Sequence, residues 1–241
     1  MARAGIRVVV VHGGGKDITA MAEKLGIRSI FIGGQRVTDQ AMMEVVLMVL
    51  AGKNNKDIAL RINQQGAKAV GICGIDAGLL KVRKMTGDVD LGLVGEITGV
   101  NETYLGQLLN SRITPVIAPI GTDATGQMYN INADVAAASI ASALHAEKLL
   151  LLTDTDGVHA DGARIPRLDE LTAEELIASG VINNGMIPKM RSAFTALRNG
   201  VEAVHLVDGR VQRTLLNELI AGVPLGTELT TQTVHLHEKV L

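Results

Sequence analysis

Apolar runs of strand length recur along the chain at 8–11, 69–72, 115–118, 149–152 and 203–207. Between them, residues 134–144, 171–179 and 190–199 carry apolar side chains at helical spacing. Strands that are apolar on both faces and alternate with helices predict a mostly parallel sheet covered on both sides, an α/β protein layered α, β, α. The stretch 81–100 breaks this rhythm with short alternating runs and glycines. It predicts a β-hairpin excursion, a form often used for lids. Residues 42–50 are apolar except for Glu44 and predict a helix with no solvent face. Such a helix needs cover on every side, from the core or from a second subunit. A symmetric homodimer through this helix is the expectation.

The first strand runs straight into Gly13, Gly14 and Gly15, and an amphipathic stretch from Ile18 to Leu25 follows. A glycine turn between a strand and a helix N-terminus presents unpaired N–H groups, for which an anion is the natural guest. Neither standard nucleotide motif fits. Thr19 lies where a dinucleotide loop would place a further close-packing glycine. A P-loop would need glycine at Val10 and Ser or Thr at Asp17. His12, beside the turn, reads as a packing or hydrogen-bonding residue.

Length and composition narrow the function. A chain of 241 residues can bury a sizeable core as one large domain or two lobes. With 23 basic and 25 acidic side chains, nothing favours a polyanion. Two Phe, two Tyr and no Trp argue against base-stacking platforms. The lone Cys73 excludes an internal disulfide and sits in an apolar run, as an inert thiol does. The longest apolar run, 45–51, is too short to span a bilayer, and a cytoplasmic location is expected. His235 and His237 share one side of the polar tail and are expected to face solvent rather than bind metal.

Four polar clusters join the glycine turn. Arg36 follows Gly33 and Gly34 and precedes a helix cap at Thr38 or Asp39, where a fixed guanidinium could hold a carboxylate. Asn130, Asn132 and Asp134 alternate before an Ala-rich helix, and N-capping explains one of them. The strand 149–152 ends in the polar turn Thr153, Asp154, Thr155, Asp156, Gly157 and Val158. Finally, Ile182, Asn183, Asn184, Gly185 and Met186 lead through Pro188 to Lys189 at a helix start. A cation there opposes the macrodipole and suggests an anionic partner.

Taken in order, HGGG, RVTD, VIAPIG, NINAD, LLTDTDGV and GMIPK resemble the amino-acid kinase family, in the branch that phosphorylates N-acetyl-L-glutamate. The resemblance runs from about residue 5 to about residue 229 and implies a three-layer αβα sandwich. It implies one kinase domain over 1–241, with a substrate lobe at about 1–146 and a nucleotide lobe at about 147–241. Gly14 and Gly15 would grip the reacting carboxylate and the phosphoryl group through their backbone. Arg36 would hold the α-carboxylate, and Asn130 the α-carboxylate and amide region. Lys189 would neutralise the phosphoryl group in flight, with Asp134 orienting the lysine. Asp154, Thr155, Asp156, Gly157, Val158, Ile182, Asn183, Gly185 and Met186 would enclose ATP, whose oxygens would carry Mg²⁺. The implied product is the γ-acyl phosphate, a step toward arginine.

The residue inventory agrees on its own terms. A carboxylate is ionised at neutral pH, so phosphorylating it needs no general base, only stabilised charge. The family's first strand, with its lysine and two glycines, has no counterpart here, so the fold is expected to be N-terminally shortened. A start placed too far downstream and a shortened, impaired protein both remain open. So do two other functions: a kinase for an N-blocked aminoadipate, and a non-catalytic ligand-binding homologue.

Overall fold

The computed structural model describes residues 5–183, 185–221 and 225–232. His235, His237 and Asn184 lie outside the described residues. The chain divides into two compact units, Met1–Ala136 and Ala137–Leu241.

In the first unit the order is β1 (Val10–Val11), α1 (Gly15–Lys24), β2 (Phe31–Ile32), β3 (Gln35–Arg36) and α2 (Gln40–Leu47). A π-helical stretch, Met48–Asn54, runs on without a break into α3 (Asn55–Gln64). There follow β4 (Ala69–Cys73), β5 (Leu80–Lys84), β6 (Gly95–Val100), α4 (Glu102–Asn110), β7 (Thr114–Ala118), β8 (Ile120–Thr122) and β9 (Met128–Asn130). Helix α5 (Ala133–Ala143) contains the division between the units.

Strands β1, β7 and β4 form a parallel sheet with β7 in the middle, Val10 opposite Val116 and Ile72 opposite Ile117. All five residues of β7 are buried, as expected of a strand covered on both faces. The regular part of the first strand is shorter than its apolar run, because β7 pairs with Val10 and Val11 only.

The 81–100 excursion is indeed a hairpin, β5 against β6. It is not a free flap, because β8 pairs with β5 and β9 with β8, making a four-stranded sheet.

Asp39, not Thr38, caps α2: its carboxylate accepts from Met42 N at 2.8 Å. The helix it starts is largely covered by its own unit. Met42, Met43, Val45, Val46, Val49 and Leu50 are all buried, packed with Ile18 and Ala22 of α1 and with Cys73, Ala118 and Ile120. At about 1.5–3 kcal/mol per large apolar side chain, this is a main source of the unit's stability. Glu44 and Met48 are left exposed.

The second unit continues with β10 (Lys148–Thr153), β11 (His159–Ala160), β12 (Ala163–Arg164), β13 (Arg167–Asp169), α6 (Glu170–Ala178) and α7 (Met186–Arg198). It ends with β14 (Ala203–Asp208), the short α8 (Thr214–Leu216) and β15 (Thr227–Thr230). Its sheet runs β10-β14-β15-β13, with β10 parallel to β14 over six residue pairs and β15 antiparallel to β14. Leu149, Leu151, Val204, Leu206 and Leu229 meet Met190 and Phe194 of α7 in a core of its own.

Candidate active site

In the first unit the glycine turn is held from two sides. Gly14 has extended backbone (φ 172°) and its carbonyl takes the first helical bond, from Ile18 N at 2.9 Å. A Cβ on Gly14 would sit 2.5 Å from Asn54 Nδ2 and 2.7 Å from Leu50 Cδ2. The turn therefore lies flush against the π-helical stretch, which is where such irregular turns often serve function. Asn54 and Lys53 both donate to Asp17 in the first turn of α1, and these bonds hold its carboxyl below the usual range. A Cβ on Gly15 would meet nothing within 4 Å. The first N–H groups of α1 have no intrahelical partner, so the helix start is an anion seat in waiting.

Arg36 reaches this turn. Its guanidinium donates to Gly15 O (2.9 Å), Thr19 Oγ1 (2.9 Å) and Ser29 Oγ (2.8 Å), and lies 4.5 Å from the centroid of the Phe31 ring. Only 7% of the residue is exposed, and burial lowers its pKa from the ordinary value. Three of five N–H groups are engaged, leaving two for a ligand.

Thr38 connects Arg36 to Asn130. Its hydroxyl donates to Arg36 O at 3.0 Å and accepts from Asn130 Nδ2 at 3.2 Å. Gly92 passes directly over Thr38: it has φ +73°, and any Cβ there would collide with the Thr38 carbonyl. Leu93 N donates to that carbonyl, and Leu93 O accepts from Asn130 N. The structure thus joins Gly15, Arg36 and Asn130 through hydrogen bonds. Asn132 is the N-cap among the three alternating polar residues, accepting from Asp134 N (2.8 Å) and Val135 N (3.2 Å). Asp134 lies in the first turn of α5.

In the second unit the turn after β10 is braced by Thr227, which is fully buried. Its hydroxyl donates to Ile165 O (2.6 Å) and accepts from Val158 N (2.9 Å). Gly157 has φ +135°, and a Cβ would sit 2.5 Å from Thr227 Oγ1. Thr155 Oγ1 donates to Gly157 O at 3.1 Å. Asp156 pairs with His159 at 2.7 Å. Arg210 clasps Asp208, with Asp154 and Asp156 adding to the field that raises its pKa. Val158 and Ile182 are buried in the core, so their side chains pack inward. Asn183, Gly185 and Met186 lead into α7, with Lys189 in its first turn and Pro188 at a position the first turn tolerates.

Sequence reading missed Asn54, Gly92 and Thr227, and gave Thr38 only a capping role. Gly92 alone left a signal, a glycine interrupting an alternating strand. Among the described residues, no group of three or more His, Cys, Asp and Glu could hold a metal ion. No helix among them is long and apolar enough to cross a membrane.

A parallel α/β core with a glycine turn at a strand's C-terminal end is an arrangement in which anionic ligands are commonly held. The chain belongs to the amino acid kinase family, whose model matches residues 1–208. It is 47% identical over 223 residues to the acetylglutamate kinase of Kosmotoga olearia, covering 92% of this chain and 79% of that one. Among solved structures it resembles the protein smu.665 from Streptococcus mutans, with a TM-score of 0.84 and 30% identity over 96% of this chain and 89% of that chain. It also resembles N-acetylglutamate synthase from Neisseria gonorrhoeae, solved with coenzyme A and N-acetyl-glutamate. There the TM-score is 0.85 at 26% identity, over 97% of this chain and 54% of the synthase.

Proposed function

We propose that the chain transfers the γ-phosphoryl group of ATP to the γ-carboxylate of N-acetyl-L-glutamate. The observation that carries this reading is the hydrogen-bonded set Gly15–Arg36–Thr38–Asn130 beside an open helix N-terminus. It offers a buried cation, an amide and backbone N–H groups to one small dicarboxylate. The similarity to proteins named acetylglutamate kinase, at 44–47% identity, supports the choice of substrate.

In the reaction a γ-carboxylate oxygen attacks the γ-phosphorus. The bond from that phosphorus to the bridging oxygen breaks, and ADP leaves with the electron pair. No proton needs to be removed, so no base is assigned. Two anions must be brought together, and charge on the transferring group must be met. Gly14 and Gly15 N–H groups and Lys189 are given that task, and Asp134 the orientation of Lys189. The turn 154–158 and Ile182, Asn183, Gly185 and Met186 are given the nucleotide, with Mg²⁺ arriving as part of MgATP.

The proposal places the reaction in the cytoplasm, in a homodimer. With most of the 42–50 helix buried in its own unit, the surface left to a partner is a strip containing Glu44 and Met48. Light scattering at micromolar concentration decides that part.

Trapping acyl phosphate with hydroxylamine, in the presence of MgATP, tests the activity. Hydroxamate formed with N-acetylglutamate and not with N-acetyl-2-aminoadipate supports the reading. The reverse preference, or tight binding of N-acetylglutamate without turnover, overturns it.

A further inference from the structure

Beside the glycine turn lies a buried polar pair to which the proposed reaction gives no task, His12 and Asn55. Asn55 opens α3 and is fully buried. Its carboxamide nitrogen lies 2.8 Å from Val116 O, 3.0 Å from Ile72 O and 3.1 Å from His12 Nε2. Carbonyl oxygens only accept, so the atom facing two of them is the NH₂ end of the amide. That nitrogen shares two hydrogens among three acceptors and cannot accept from the ring, so a proton on His12 Nε2 would meet it hydrogen to hydrogen, and Nε2 presents its lone pair. The ring proton then sits on Nδ1, which is 3.0 Å from Gly13 O and donates to it. On its other side the Asn55 amide oxygen accepts from Lys56 Nζ at 3.3 Å.

This chain of donors ends on the glycine turn. The Gly13–Gly14 peptide is trans, so Gly13 O and Gly14 N–H lie in one plane and point in opposite directions. Fixing the oxygen on His12 fixes where the N–H aims. Neither glycine has a side chain by which packing could hold that plane, and glycine backbone is the most free to turn. We propose that Asn55, acting through the Nδ1–H tautomer of His12, is the device that aims the Gly14 N–H at the transferring phosphoryl group. The inference rests on the role given to Gly14 in the proposed function. His12 and Asn55 are positioning residues and touch neither substrate.

NMR of ¹⁵N-labelled protein tests the geometry without any turnover. The His12 ring, assigned by its loss in His12→Asn, is expected as the Nδ1–H tautomer. In Asn55→Ala, the Nε2–H form should grow in and the Gly14 amide resonance should move. An Nε2–H ring in the intact protein overturns the inference, as does a Gly14 amide that stays put in Asn55→Ala. Should Asn55→Ala fail to fold, the intact protein and His12→Gln decide it.

Kinetics add a readout that stability alone would not move. His12→Gln keeps a partner for Asn55 but loses the donor at the δ position. Its kcat should fall about 10- to 100-fold, at the lower end of or below the loss of a preorganised donor, with KM nearly unchanged. His12→Asn, whose Nδ2 stands where the ring Nδ1 was, should recover most of that loss. Equal losses in the two variants overturn the inference. The Nδ1–H tautomer and a shifted Gly14 amide, in a protein without acetylglutamate-dependent turnover, would support the positioning while overturning the proposed function.

Discussion

The hydroxyl of Thr38 accepts from Asn130 Nδ2, 92 positions further along the chain, while donating to Arg36 O two positions back. Thr38 is fully buried, so both bonds form away from competing water. Replacing it with valine keeps the shape and removes both bonds. For Thr38→Val, KM for N-acetylglutamate should rise about 5- to 30-fold, matching roughly 1–2 kcal/mol of lost hydrogen bonding, while kcat changes little. Steady-state kinetics with varied N-acetylglutamate check this.

Gly14 and Gly15 should respond differently to the same methyl group. In Gly14→Ala the new Cβ falls on Asn54 and Leu50, so the turn or the helix must move. A loss of about 1–3 kcal/mol is expected from such overpacking, with turnover largely lost. Gly15→Ala meets open space, and its stability should stay within about 0.5 kcal/mol of the parent. Urea denaturation of the pair separates them.

Arg36 and Lys189 should divide binding from catalysis. Arg36→Ala should weaken N-acetylglutamate binding by about 10- to 100-fold, the scale of hydrogen bonds to a charged group. Lys189→Ala should lower kcat by about 10²–10³ with a much smaller change in affinity. Calorimetric titration beside turnover tests both, and equal effects on affinity alone would contradict the roles.

Burial holds the His12 ring below its ordinary value of 6.5, against a smaller opposing effect of its bond to Gly13. The neutral ring is the form the fold accepts, because a proton on Nε2 would face the Asn55 amide hydrogens. Its contribution to stability is therefore complete above the unfolded value of about 6.5 and is lost as pH falls through the lower folded value. Between about pH 7 and pH 5 the urea midpoint should drop more for the parent than for His12→Asn.

In the second unit, Thr227→Val should strand the Val158 N–H and the Ile165 carbonyl in a buried setting. A cost of about 1–3 kcal/mol is expected. ATP affinity, read by competition with a fluorescent nucleotide, should fall as the 154–158 turn loosens.

The strands at 69–72, 115–118, 149–152 and 203–207 were legible as unbroken apolar runs, of which only 115–118 is buried throughout, while Leu152 stays exposed. Helix α1 and the cap at Asp39 were legible from spacing and capping chemistry. The π-helical stretch was not, because the apolar run from Met42 to Leu50 carries no mark where the winding widens. Nor was the hold of Thr227 on Val158, a bond across 69 residues that only tertiary folding brings about. The candidate residues were found by type and local order. Their supports, Asn54, Asn55 and the hydroxyl of Thr38, look ordinary in sequence because each acts through a distant partner.

The fit of Gly14 against Asn54 also constrains how the chain can vary over generations. A side chain at position 14 has room only if Leu50 yields and position 54 gives up its amide, and Asn54 in turn helps tie down Asp17. These positions are free to drift only in concert. A library that randomises 14, 50 and 54 together should yield folded members that no single-position library contains.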